Sequence, residues 1–151
     1  MPHVIANYPI WLAKRVFDLL GTCFALLMFL PVFPLIAIAI KISSKGPVFY
    51  KQQRVGKSTP RHMEFFDIIK FRTMYQDAEN RSGAVWATKN DPRITPVGLF
   101  LRKTRLDELP QLINVLKGEM SLIGPRPERP TFYHKLETEI PYFADRTYGV
   151  M

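Results

Sequence analysis

From Leu19 to Ile40 the chain runs 22 residues without a charged side chain, and two prolines, Pro31 and Pro34, interrupt that run past its middle. A straight helix of this length would reach about 33 Å at ~1.5 Å per residue, enough to cross a hydrocarbon core of roughly 30 Å. The prolines argue against a straight helix. Neither can donate a hydrogen bond to the carbonyl four residues back, at Leu27 and Leu30, and each ring crowds that carbonyl, so a sharp kink is expected. Cations flank both ends, Lys14 and Arg15 before and Lys41 and Lys45 after, whereas a spanning helix usually carries its Lys/Arg bias on one side. Both ends therefore suit one face of a bilayer. A re-entrant hairpin and a kinked span stay open on these grounds, because prolines do occur in membrane helices. A buried soluble helix fits such a long uncharged run less well. A secretory signal is not expected, since the run exceeds a usual apolar region and ends without a small-residue cleavage pattern.

The 151 residues suffice for one domain with a modest core. We divide them into an N-terminal tail (1–13), the membrane segment (14–42) and a polar domain (43–151). Lys and Arg number 21 against 13 Asp and Glu, a net charge of +8, so the natural partners are anionic: lipid headgroups, nucleic acid or phosphorylated small molecules. Nucleic acid is disfavoured, because nothing in its recognition requires the long uncharged run. Cys23 is the single cysteine, which excludes an internal disulfide and a cysteine-rich metal site. Oligomeric state is open.

Beyond the membrane segment, Ser43 to Pro47 reads as a loop. Val48-Phe49-Tyr50 and Glu64 to Arg72 suit strands of a small hairpin with Gly56 to Arg61 as its turn. Gln76 to Pro92 reads as a loop or short helix able to move over a site. Thr95 and Pro96 supply an N-cap and a first-turn proline for a short apolar helix that ends in Arg102-Lys103-Thr104-Arg105. A second helix is expected from Asp107 to a stop at Gly118, with Leu109, Leu112, Ile113 and Leu116 on its apolar face. Thr131 to Ile140 should be helical, with Phe132, Leu136 and Ile140 spaced four apart. The expected architecture is mainly α with a small β-hairpin, its amphipathic helices suited to an interface.

Asp107-Glu108 follows a cluster of cations at an expected helix start, where the backbone favours negative charge. An acidic N-cap explains the pair. The same physics serves chemistry, since a carboxylate held ionised by Arg102, Lys103 and Arg105 can attack phosphorus or bind a hard divalent cation. Gly124 to Arg129 is a proline-stiffened turn in which Arg126 can present forked donors to phosphate, or simply be solvated. Lys70 and Arg72 fall on one face of a strand by period two, with Phe71 on the other. His3, His62 and His134 are too dispersed for a metal site, and no Ser/His/Asp pattern or phosphate-binding glycine loop occurs.

Several stretches in the same order resemble the bacterial sugar transferase family, the monotopic phosphoglycosyl transferases. They are Lys14 to Asp18, Gly46 to Gly56, Lys70 to Met74, Arg102 to Leu112, Asn114 to Ser121 and Gly124 to Pro127. The resemblance implies transfer of a hexose 1-phosphate from a UDP-sugar to polyprenyl phosphate at the cytoplasmic face of a bacterial inner membrane, releasing UMP. It also implies that Asp107 is the nucleophile, that Mg2+ assists at the diphosphate, that Glu108 completes a dyad, and that Arg102 binds the lipid phosphate; by its oxygen chemistry Asp107 is the candidate ligand for that Mg2+. Arg126, Arg72 and Lys70 are further candidates for phosphate or substrate. A re-entrant helix broken at the place of Pro31 is implied too, with Pro34 adding to the bend. Leu30 departs from members that carry serine beside that proline. Members usually continue past Met151 into a Pro-Gly-Ile-Thr-Gly segment, so a shortened version is expected, and a non-catalytic remnant that binds lipid phosphate or a partner is the alternative.

Overall fold

The computed structural model describes residues 8–59, 62–76, 78, 88 and 91–143. The tip of the hairpin turn and most of the Gln76–Pro92 loop lie outside them. Two helices, α1 (Tyr8–Phe29) and α2 (Val32–Ser43), are followed by a two-stranded antiparallel sheet, β1 (Phe49–Thr59) and β2 (His62–Phe71). Then come α3 (Pro96–Thr104), a 3-10 turn (Leu106–Gln111), α4 (Leu112–Lys117) and α5 (Pro130–Glu139). The fold is thus mostly helical with a small hairpin, as expected, and α1 already includes residues 8–13.

The helix breaks at Leu30-Pro31, where the two segments bend by 61°. Pro31 withholds the hydrogen bond that Leu27 would have received. Pro34 does not kink α2. It sits in the first turn, where its missing N–H is tolerated, and the Leu30 carbonyl it would have addressed accepts from Phe33 N at 3.2 Å instead. Among the described residues no single helix is long and apolar enough to cross a membrane; the bent pair reaches that length only together. Its outer surface is apolar, with Leu20, Phe24, Leu27, Leu35, Ile38 and Ile42 all exposed, and α3 adds exposed Leu99 and Phe100.

The flanking cations of α1 are not left to solvent. Arg15 donates from Nη1 to Val115 O at 2.6 Å and from Nη2 to Leu116 O at 2.8 Å, capping carbonyls at the end of α4. Asp18, 3% exposed, pairs with Lys14 at 3.4 Å and accepts from Ser121 Oγ and Leu122 N at 3.0 and 3.1 Å. Lys14 also bonds Ser121 Oγ. One turn further, a Cβ on Gly21 would press on Leu122 Cδ1. The first motif of α1 therefore latches the bent helix pair to the end of α4 and the residues after it.

The core lies where α2 meets the sheet. Ile36, Ile40, Phe71 and Leu101 are buried together, and the Phe71 ring stands between Phe33 at 5.1 Å and Phe49 at 5.3 Å. Burying each such side chain contributes roughly 1.5–3 kcal/mol. The strands run further into the expected turn than their composition suggests. Gly56 to Thr59 belong to β1, because a bulge between Val55 and Ser58 absorbs an extra residue before pairing resumes at Ser58 with Met63.

In α4 the buried positions are Asn114 and Val115, while Leu112, Ile113 and Leu116 are only partly covered. Asn114 explains the difference. Its Oδ1 accepts from Ile69 N at 3.0 Å, and its Nδ2 donates to Asp67 O at 2.8 Å and Glu119 Oε2 at 2.7 Å. One amide thus satisfies the backbone edge of β2 that faces away from β1 and clamps α4 there.

Candidate active site

Four local devices bring the polar residues together. Thr95 caps α3 as expected, its Oγ1 accepting from Gly98 N at 2.9 Å. Thr95 N donates to Thr73 O at 3.0 Å, and Gly98 lies so close to the same carbonyl that a Cβ would collide with it. This contact sets α3 against the end of β2 and lets Arg102 Nε donate to Thr73 Oγ1 at 2.9 Å. At the other end of α3, Arg105 adopts the left-handed conformation (φ 61°), unusual for a residue with a side chain. The chain turns there into the 3-10 segment that carries Asp107 and Glu108. That segment is 3-10 rather than the expected α-helix; Pro110 lies inside it and withholds a donor.

These pieces enclose an open cleft of about 750 Å3. Along it stand Tyr50, Gln52 and Arg54 of β1, Lys70, Arg102, Asp107 and Glu108, with Arg126, Glu128, Arg129 and Phe132 opposite the strand's end. Glu108 is the meeting point. Its Oε1 lies 3.0 Å from Arg126 Nη2, 3.4 Å from Lys70 Nζ and 3.6 Å from Arg105 Nη1. Burial opposes its ionisation, but Lys70, Arg126 and Arg105 outweigh burial and hold its carboxyl below the usual range.

Asp107 has the opposite balance. It is 7% exposed, and its Oδ1 is buried without a hydrogen-bond partner. Burial pushes its pKa up and the neighbouring Glu108 adds to the rise, against the opposing pull of Lys70 and Arg102. Two adjacent carboxylates therefore sit in environments that push their pKa values apart, a pattern typical of divided chemical roles. Of the cations expected to act on Asp107, Arg102 does so. Arg105 pairs with Glu108, and Lys103 is exposed. Lys70, far upstream on β2, takes their place.

The other candidates divide. Lys70 and Arg126 reach the carboxylate pair. Arg72 borders the cleft, yet its guanidinium turns toward the end of α2, where Nη1 donates to Lys45 O and Nη2 to Ser44 O, both at 2.8 Å. Its Nε is buried without a partner. Gly46 makes room for that guanidinium, since a Cβ there would collide with it and its φ is 120°. Arg93, which sequence reading did not single out, lines the cleft and grips Asp91 at 2.6 Å, holding the Asp91 carboxyl down at about 2.

Among the described residues no group of three His, Cys, Asp or Glu gathers around one point. The carboxylates on the cleft wall are Asp107, Glu108 and Glu128. The bare Oδ1 of Asp107 suits a hard cation that takes one or two protein oxygens and fills its remaining positions with water and phosphate oxygens, as Mg2+ commonly does.

Cations wall the cleft around one desolvated carboxylate, a charge distribution suited to anionic ligands, and the helix pair of the same chain carries an exposed apolar surface. The profile of the bacterial sugar transferase family matches residues 10–151, and the chain belongs to that family. It is 51% identical over 133 residues to a Bacillus subtilis (strain 168) protein named provisionally as an undecaprenyl-phosphate N-acetylgalactosaminyl 1-phosphate transferase, covering 88% of this chain and 72% of that one. It is 47% identical to the UDP-N-acetylgalactosamine-undecaprenyl-phosphate N-acetylgalactosaminephosphotransferase of Aeromonas hydrophila, over 88% of this chain. It is 48% identical to the UDP-glucose:undecaprenyl-phosphate glucose-1-phosphate transferase of Escherichia coli (strain K12), over 77% of this chain. The chain spans only 30% and 24% of the last two.

Proposed function

We propose that this chain transfers a hexose 1-phosphate from a UDP-sugar to undecaprenyl or another polyprenyl phosphate, releasing UMP, at the cytoplasmic face of a bacterial inner membrane. The relatives' names support the reaction class, and the observation that carries the chemistry is the buried, unpartnered Oδ1 of Asp107 among Lys70, Arg102 and Arg126. In the first step a carboxylate oxygen of Asp107 attacks the phosphorus that bears the sugar. The bond from that phosphorus to the bridging oxygen breaks, and UMP leaves with the electron pair. In the second step an oxygen of polyprenyl phosphate attacks the same phosphorus and expels Asp107, which regains its carboxylate.

Lys70 and Arg126 stand where charge on the leaving phosphate needs neutralising, and Glu108 holds both in place through its ion pairs. Arg102, fixed by Thr73, serves the incoming lipid phosphate. A Mg2+ held at Asp107 and the diphosphate would lower the repulsion between anionic reactants. The bent α1–α2 pair dips into the bilayer and returns, and the exposed Leu99 and Phe100 rest α3 on the same surface. UMP release from UDP-sugars, measured with and without polyprenyl phosphate, tests the reading. No UMP from any UDP-sugar in the presence of Mg2+ would leave a lipid-binding remnant instead.

A further inference from the structure

The cleft extends beyond the carboxylate pair along one face of β1. Tyr50, Gln52 and Arg54 alternate with the exposed Lys51 and Gln53, so all three side chains share the strand face that borders the cleft. They form a hydrogen-bonded ladder: Arg54 Nη2 donates to Gln52 Oε1 at 2.7 Å, and Gln52 Nε2 donates to Tyr50 Oη at 2.8 Å. Register ties one end of this ladder to the chemistry, because Tyr50 is the cross-strand partner of Lys70, which pairs with Glu108. The other end is closed by the first turn of α5, where the Arg129 guanidinium lies 5.8 Å from the centre of the Phe132 ring. That turn is fastened to the strand by Arg54 Nη1 donating to Pro127 O at 3.1 Å and Val55 N donating to Glu128 O at 2.9 Å.

Resting on the transferase reading, we propose that this ladder and the Arg129–Phe132 turn bind the pyrimidine nucleotide half of the sugar donor, with its phosphate toward Lys70. Three features support this. The length fits, since Tyr50 to Arg54 spans about 13 Å at ~3.3 Å per residue, comparable to an extended nucleoside monophosphate. The charge fits, since Arg54 and Arg129 add to Lys70 and favour an anion. The edge chemistry fits as well. With one amide hydrogen on Tyr50 and one acceptor site used by Arg54, Gln52 keeps one donor and one acceptor, the complement of the imide edge of uracil. Phe132, under the Arg129 guanidinium, adds an aromatic ring to the same wall, the type of side chain against which bases pack.

The test is equilibrium binding of UMP, CMP and AMP to the full chain in lipid nanodiscs, alongside steady-state kinetics. Gln52→Ala and Phe132→Leu should each weaken UMP binding about tenfold and raise the KM for UDP-sugar in parallel, leaving the KM for polyprenyl phosphate within about twofold. Gln52→Glu, which still accepts from Arg54, provides a variant that keeps the strand intact yet opposes the phosphate, and should weaken UMP binding too. Unchanged UMP affinity in all three variants, AMP bound as tightly as UMP by the wild type, or no UMP binding at all would overturn the site. UMP binding that the variants weaken, in a protein that turns over no UDP-sugar, would uphold the site and remove the transferase reading.

Discussion

Lys70 Nζ lies 3.4 Å from Glu108 Oε1, so a residue near the end of β2 and the second residue of the carboxylate pair meet as an ion pair beside the desolvated Asp107. Lys70 is itself partly desolvated, which lowers its pKa, and Glu108 opposes that shift. The pair is therefore held by geometry from two elements, and it acts on Asp107 through the field of the ammonium.

Replacing Lys70 by Met should move the acidic limb of the pH–rate profile. On the proposed route Asp107 attacks as a carboxylate; its pKa is already raised by burial, and Lys70 is a group that lowers it. Without Lys70 the limb shifts to higher pH, and kcat/KM below neutrality falls by about tenfold or more. Measuring kcat/KM from about pH 5 to 9 for both proteins checks this. A limb that stays in place would separate Lys70 from Asp107.

Asp107 should also show a conflict between stability and function. A carboxyl whose folded pKa is raised contributes stability that is full below its unfolded pKa and is lost as pH rises through the folded value. At neutral pH the ionised Asp107, with its Oδ1 buried and unpartnered, therefore weakens the fold, and Asp107→Asn should melt at the same temperature as wild type or higher while losing activity. Thermal unfolding at about pH 5 and about pH 7.5 checks the sign: the advantage of Asp107→Asn should be larger at the higher pH.

Arg15→Ala should destabilise the attachment of α1. Two charge-assisted hydrogen bonds to Val115 and Leu116 are lost, and the α4 carbonyls are left without those donors, at a cost of about 2–3 kcal/mol. A lysine in its place has no planar fork with which to reach both carbonyls, so Arg15→Lys should recover only part. Urea unfolding in nanodiscs measures both.

A re-entrant segment puts both ends of the α1–α2 pair on one side. With Cys23 replaced by serine, Tyr8→Cys and Lys45→Cys should react with an impermeant thiol reagent from the same face of the membrane. Labelling from opposite faces would require a span. Pro31→Leu, which restores the missing donor at the break, should shift some molecules toward the spanning form.

Much of the fold was legible from local rules. Thr95-Pro96, Gly118 and the apolar spacing from Thr131 onward mark elements whose signals lie within a few residues of one another, and Pro31 marks the break. The carboxylate pair could be picked out as a cluster of opposite charges. What escaped local reading shares one cause. Arg15, Arg72 and Asn114 donate to backbone carbonyls 27 to 101 positions away, and a carbonyl is the same in every residue, so no pattern in the sequence names the partner. For this reason the sequence shows the flanking cations of α1 only as charges at the ends of the apolar run, and Asn114 is hidden inside a helix marked by its leucines. Lys70 was noticed as a strand residue, but its pairing with Glu108 depends on how Asn114 seats α4 and the 3-10 turn on β2.

The most direct measurement concerns Asp107 itself. The purified chain, given a UDP-sugar and Mg2+ without polyprenyl phosphate, should release UMP and gain the mass of a hexose phosphate on the peptide that contains Asp107, and added polyprenyl phosphate should discharge it. Asp107→Asn should form neither the adduct nor the lipid product. Full transfer by Asp107→Asn, or turnover in wild type with no adduct even when the acceptor is withheld, would contradict a nucleophilic Asp107.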